Sequence, residues 1–205
     1  MTSADVTVAA NGVARCWWCG DDPLYVDYHD HEWGVPLRDE RALFELLCLE
    51  GFQAGLSWLT ILRKREGFRD AFEGFDPAVV ARYGEPEVDR LLADAGIVRH
   101  RGKITATIGN ARAVEAMHEA GTSLVQVVWS HAPLPRAAAL VGRADIPAET
   151  ADSVTVANAL RTWGMRFVGP TTVYAFMQSA GLVDDHLEGC HRSGVGAGSR
   201  RGSMR

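Results

Sequence analysis

Between residues 15 and 191 the apolar positions recur with a period of three to four, and no run of alternating β-branched residues is long enough to predict a sheet. Asp39 is placed to cap a helix carrying Leu43, Phe44, Leu46, Leu47 and Glu50. Gly51 to Gly55 are expected to loosen the chain before a second apolar-to-basic segment, LSWLTILRKR. Pro86 can open EPEVDRLLADAG, residues 102 to 118 form a long amphipathic stretch, and Ser153 can cap VTVANALRTW before Gly164 stops it. The pattern predicts an all-α fold.

Two short connections, AGIVRHRG at 95–102 and FVGPTTVYAFMQSAG at 167–181, read as helix-hairpin-helix joints, with Pro170 suited to the first turn of the helix after Gly169. A glycine hairpin feeding a helix N-terminus turns backbone N–H groups outward, where they can hold a phosphate. Residues 1–14 and 192–205 are rich in small and polar residues without apolar period, and are expected to be disordered tails around one domain at 15–191.

Composition narrows the class. The 205 residues are 47% hydrophobic, enough for a real core, and no apolar stretch approaches the length of a membrane span. The start lacks the order of a signal peptide, so a cytoplasmic protein without membrane association is expected. A net charge of -5 excludes coating of nucleic acid by bulk attraction, so any DNA contact must be a local patch. The stretch RHRGK, residues 99–103, is one such patch beside a glycine turn.

Chemistry concentrates at the two ends. CWWCGDDPLYVDYHDHEW and DDHLEGCH both mix cysteine with histidine. His186 and Cys190, four apart, can face one metal ion together. Spacing alone offers Cys16 with Cys19, or either cysteine with His29 or His31, for the remaining positions. A four-ligand site leaves no place for a water and would tie the chain ends together, a structural role that disfavours a zinc hydrolase. Trp17, Trp18, Tyr25, Tyr28 and Trp33 crowd the same N-terminal stretch, and Trp58 follows shortly after. Such a group can be core, or a pocket for a flat, electron-poor ring. Glu50 stands out because a buried carboxylate needs a partner, a surface or a function.

LYVDYHDHEWGVP, LCLEGFQAGLSWLTILRKRE, DAGIVRHRGKITATIGNARA and FVGPTTVYAFMQSAGLVDDH, in this order, closely resemble the bacterial 3-methyladenine DNA glycosylase I family. The similarity runs from about Arg15 to Cys190. It implies an all-helical fold of the helix-hairpin-helix DNA glycosylase superfamily and a monomeric enzyme acting on damaged double-stranded DNA. Such an enzyme flips out N3-methylated adenine, and in some cases 3-methylguanine, hydrolyses the glycosidic bond and releases free 3-methyladenine. It further implies one structural Zn2+ on Cys16, His29, His186 and Cys190, with Cys19 and His31 outside the set and Cys48 a core thiol. Trp18, Tyr25, Tyr28, Trp33, Glu50 and Trp58 then build the base pocket, Glu50 hydrogen bonding to the adenine edge, with assistance to bond cleavage as its second candidate role. DNA contacts fall on Arg99, His100, Arg101, Gly102, Lys103, Gly169 and Thr171. Where the subfamily has V-N-D-H this chain reads Val183, Asp184, Asp185, His186. Asp184 is therefore either an electrostatic helper in catalysis or, as favoured, a local hydrogen-bonding residue beside a metal ligand. Neither hairpin supplies a lysine where an amine nucleophile would stand, so a monofunctional hydrolase is expected rather than a lyase. The rival from another class is a module that stacks on damaged bases without cleaving them.

Overall fold

The computed structural model describes residues 5–194, and among them it is mostly helical, with one two-stranded hairpin. The chain divides into two compact units: Met1–Leu37, Ala132–Ala148 and Met177–Arg205 form the first, Arg38–His131 and Glu149–Phe176 the second. Among the described residues no helix is long and apolar enough to cross a membrane.

The first unit opens with the feature that the helical pattern missed. Strand β1 (Val6–Val8) pairs antiparallel with β2 (Ala14–Cys16), setting Val6 opposite Cys16 and Thr7 opposite Arg15. The turn is built on Asn11-Gly12: Gly12 sits at φ 79°, and the Asn11 side chain accepts from the Val13 amide. Asn-Gly between two short apolar runs is a strong hairpin signal, and its strands are only three residues long, too short to register as alternation. The expected N-terminal tail is thus corrected from residue 5 onward. At the other end Gly194 still donates its amide to Asp184, so order extends past residue 191. Residues 1–4 and 195–205 of the expected tails lie outside the described residues. Helix α1 (Pro23–His31) follows the hairpin, with the Asp22 carboxylate accepting from the Leu24 and Tyr25 amides and Pro23 in its first turn. Val6, Cys16, Leu187 and Cys190 form a small buried core, with Trp17, Trp18, Leu140 and Ile146 against it.

The second unit holds α2 (Glu40–Gln53), capped by Asp39 as expected, and α3 (Trp58–Ala71), capped by Ser57. A run of phenylalanine rings, Phe52, Phe68, Phe72 and Phe75, fills its centre at centroid spacings of 4.6–6.4 Å. Helices α4 (Pro77–Val80), α5 (Glu85–Ala93), α6 (Arg101–Glu119) and α7 (Leu124–Trp129) come next. In α8 (Ala151–Thr162) the cap is Thr150, not Ser153; Ser153 takes the third helical position and completes a reciprocal capping box with Thr150. Helix α9 (Pro170–Ser179) begins at the proline predicted to open it. Gly51 does not loosen α2, which continues to Gln53.

Candidate metal cluster and base-recognition residues

In the first unit, β2 ends on Cys16, α1 carries His29 on its buried face, and the turn after α9 brings His186 and Cys190 inward. The four ligand atoms lie within 4.8 Å of one another and all four residues are buried. Cys190 Sγ is 3.5 Å from His29 Nε2 and 3.6 Å from His186 Nδ1, and Cys16 Sγ is 3.9 Å from His186 Nδ1. This is the set implied by resemblance. Cys19 instead donates its thiol to the Cys16 carbonyl at 3.2 Å, and burial pushes its pKa up to about 11. His31 lies on the exposed side of α1, paired with Asp27. The Cys16 thiol holds Cys190 well below the ordinary thiol range, and His186 and His29 add to the effect.

Each histidine has its second ring nitrogen engaged. His29 Nδ1 is 2.8 Å from Asp30 Oδ1, and His186 Nε2 is 3.2 Å from the Trp33 carbonyl. Both contacts favour the tautomer that leaves the facing nitrogen free to bind a cation. Asp30 is itself gripped by Arg15, whose Nε and Nη2 donate at 2.9 and 2.6 Å. Burial would raise the Asp30 pKa, but the hydrogen bonds from Arg15 and His29 outweigh it and hold the carboxyl at about 2. Sequence reasoning missed Asp30 and Arg15; the only signal was the position of Asp30 beside His29.

The aromatic residues are built onto the same cluster. The Trp18 ring lies 5.0 Å from Tyr25, 4.9 Å from Trp33 and 5.2 Å from His29. Trp33 is 4.6 Å from His186 edge to face, and the Tyr28 hydroxyl donates to Ser179 at 3.0 Å. The Cys/His cluster therefore braces the aromatic group as well as joining distant parts of the chain.

Asp184 is occupied locally: one carboxylate oxygen accepts from the His186 amide at 3.1 Å, the other from the Gly194 amide at 2.9 Å. Its neighbour Asp185, 1% exposed, takes two hydrogen bonds from Arg136 and one from Gln178, fixing the segment beside the cluster. Asp185 and Arg136 were also missed, since the partners are 49 residues apart.

In the second unit Glu50 is 3% exposed on α2, the inward orientation its spacing implied, and Trp58 opens α3 at 9%. Cys48 is buried, and that burial pushes its thiol pKa up, as suits a core residue.

The candidate DNA-contact residues are distributed unevenly. Arg99 is exposed. Arg101 is exposed but paired with both Glu85 and Asp89 at 2.9 Å. His100 caps α6, accepting the Lys103 amide at 3.2 Å, and Gly102 packs so closely that an added Cβ would come 3.1 Å from the His100 ring. Thr171 points to Glu149 at 3.4 Å, and Gly169 precedes α9. Lys103 requires correction. Its ammonium is buried and donates to the carbonyls of Phe52 and Ala54 at 2.8 and 2.7 Å, so it satisfies the end of α2 instead of facing a phosphate. Desolvation lowers its pKa.

A mostly helical chain in which a buried two-cysteine, two-histidine cluster able to hold a metal ion packs against a nest of aromatic rings defines a class of protein with a Cys/His-braced aromatic site. The methyladenine glycosylase family model matches residues 18–193, and the chain belongs to that family. It is 52% identical over 179 residues to DNA-3-methyladenine glycosylase 1 of Escherichia coli (strain K12), covering 86% of this chain and 95% of that one. A crystal structure of 3-methyladenine DNA glycosylase I is similar with a TM-score of 0.84 at 50% identity, over 87% of this chain and 99% of the other. A variant of 3-methyladenine DNA glycosylase I in complex with 3-methyladenine is similar at 0.81 and 38% identity, over 85% of this chain and 94% of its own.

Proposed function

We propose that this chain is a cytoplasmic, monomeric DNA-repair glycosylase of the helix-hairpin-helix superfamily that removes 3-methyladenine from damaged duplex DNA and leaves an abasic site. The observation that carries the reading is the aromatic group on Trp18, braced by the Cys/His cluster, in a chain so similar to proteins named for this activity. Methylation at N3 makes adenine cationic, which weakens the glycosidic bond and improves the base as a partner for π faces and a carboxylate.

Trp18, Tyr25, Tyr28, Trp33 and Trp58 are assigned to stacking and shape, and Glu50 to accepting a hydrogen bond from the amino edge. As the C1′–N9 bond breaks, its electron pair leaves with the base and neutralises the ring. Water then adds to the oxocarbenium carbon and loses a proton. The negative charge of the DNA phosphates stabilises that cation, and Glu50 is not required as a general base. Asp184, with both oxygens committed to backbone amides, is assigned to shaping the turn rather than to catalysis. Phosphate contacts are assigned to Arg99, His100, Arg101, Gly102, Gly169 and Thr171.

For the metal, one structural zinc ion on Cys16, His29, His186 and Cys190 suits the donors. A sulfur and a nitrogen sharing one tetrahedral zinc stand about 3.5 Å apart, and the observed pairs are at 3.5, 3.6 and 3.9 Å. Four protein ligands leave the ion no catalytic position, so its contribution is rigidity.

The test is incubation with alkylated duplex DNA and chromatography of the released bases. Release of 3-methyladenine with the strand intact until alkali is added is the expected result. Binding without release would favour the non-cleaving recognition module, and a borohydride-trapped adduct would favour a lyase.

A further inference from the structure

Phe167 has the backbone geometry that large side chains avoid. It stands at φ 58°, in the left-handed region, and its side chain is 36% exposed on the turn between α8 and α9. Backbone strain of this kind persists only where the surroundings impose it, and here they do. Asn110, 4% exposed on α6, donates from Nδ2 to the Arg166 carbonyl at 3.1 Å and accepts the Arg166 amide on Oδ1 at 2.8 Å. Both polar groups of the preceding peptide residue are thereby clamped. From the other side, α2 yields space: a Cβ on Gly51 would come within 3.4 Å of Phe167 Cβ.

The ring is not sealed by this packing. It stands 6.4 Å from His100, nearly perpendicular, so the turn before α9 adjoins the turn before α6. Arg166 is exposed beside it, as are Arg99 and Arg161 on the flanking segments. Among the described residues neither Arg99 nor Arg166 forms an ion pair, in contrast to Arg101. An aromatic ring held open among arginines suits a polyanion that carries flat bases.

We propose that Phe167 is a DNA-contacting residue that packs its ring on a nucleotide of the duplex, and that Asn110 is the residue that positions it, with Arg166 supplying the adjacent phosphate contact. This rests on the DNA-repair reading above and adds Phe167, Asn110 and Arg166 to the two turns already assigned phosphate contacts, apart from the residues assigned to the excised base.

The test measures three quantities on the full chain: affinity for an abasic-site duplex, affinity for free 3-methyladenine, and the thermal midpoint. Phe167→Ala is expected to weaken duplex binding about tenfold, the loss typical of one stacked base, with free-base affinity and the salt dependence of duplex binding unchanged. Phe167→Tyr restores the affinity and Phe167→Leu does not. Arg166→Ala lowers the salt slope by about one. Asn110→Ala reproduces the duplex defect of Phe167→Ala while keeping free-base affinity. Unchanged duplex binding in Phe167→Ala, or full rescue by leucine, would reduce Phe167 to packing and overturn the inference while leaving the glycosylase reading intact. Failure of the unmodified chain to bind damaged duplex would remove both.

Discussion

The Asp30 carboxylate is shared: Arg15 grips it, His29 donates its Nδ1 hydrogen to it, and His191 Nε2 stands 3.5 Å away. Second partners of this kind fix the ring orientation and tautomer of a metal-binding histidine, and their removal typically weakens metal binding by about 10- to 100-fold. Asp30→Asn is therefore expected to weaken zinc binding within that range, read by chelator competition, whereas Cys19→Ser leaves it unchanged. Equal zinc affinity in the two variants would show that Asp30 only pairs with Arg15. Glu50 poses a different question at the same scale. If it serves the base, Glu50→Gln weakens free 3-methyladenine binding about tenfold, within the range for a hydrogen bond to a charged group, and shifts the thermal midpoint little. A large fall in the midpoint at constant affinity would make it a structural charge.

Among the elements, α2 illustrates how an end decides what a neighbouring residue does. Its last carbonyls cannot be satisfied within the helix, and Lys103 reaches from the first turn of α6 to take two of them. Lys103→Met is expected to destabilise the protein by roughly 1–3 kcal/mol, the cost of leaving buried acceptors unsatisfied, and to leave the salt slope of DNA binding unchanged. A slope lower by one without loss of stability would return Lys103 to the phosphate-binding group. The β-hairpin offers a matching case. Asn11-Gly12 marks its turn plainly, and Gly12 at φ 79° makes that position intolerant of a side chain.

For the molecule as a whole, the Cys/His cluster links residues 16, 29, 186 and 190, so a bound ion would close a very long loop in the unfolded chain. Metal removal with a strong chelator is expected to lower the thermal midpoint and, because Trp18 and Trp33 lie against His29 and His186, to weaken free-base binding as well. A lower midpoint with unaltered base affinity would confine the cluster to tethering. Most of the helical order, the cap at Asp39, the helix start at Pro170, and the clustered cysteines and histidines were legible in the chain itself. Those features are local: a cap acts within three residues, and helical period follows from side chains on one turn.

What the sequence alone determined, then, was helix periodicity, helix starts, the inward side of Glu50 and, through its resemblance, the four residues that gather in the buried Cys/His cluster. Only the tertiary structure decided that Lys103 turns inward, that Asp184 is consumed by backbone amides, that Asp185 pairs with Arg136, and that Asn110 holds Arg166 beside a strained Phe167. Asp184 aside, whose partners lie two and ten residues along the chain, these depend on which remote carbonyl, amide or carboxylate lies within hydrogen-bonding reach. Partners 49 to 56 residues apart leave no periodic trace in the chain, because their pairing is set by packing between elements and not by spacing along one.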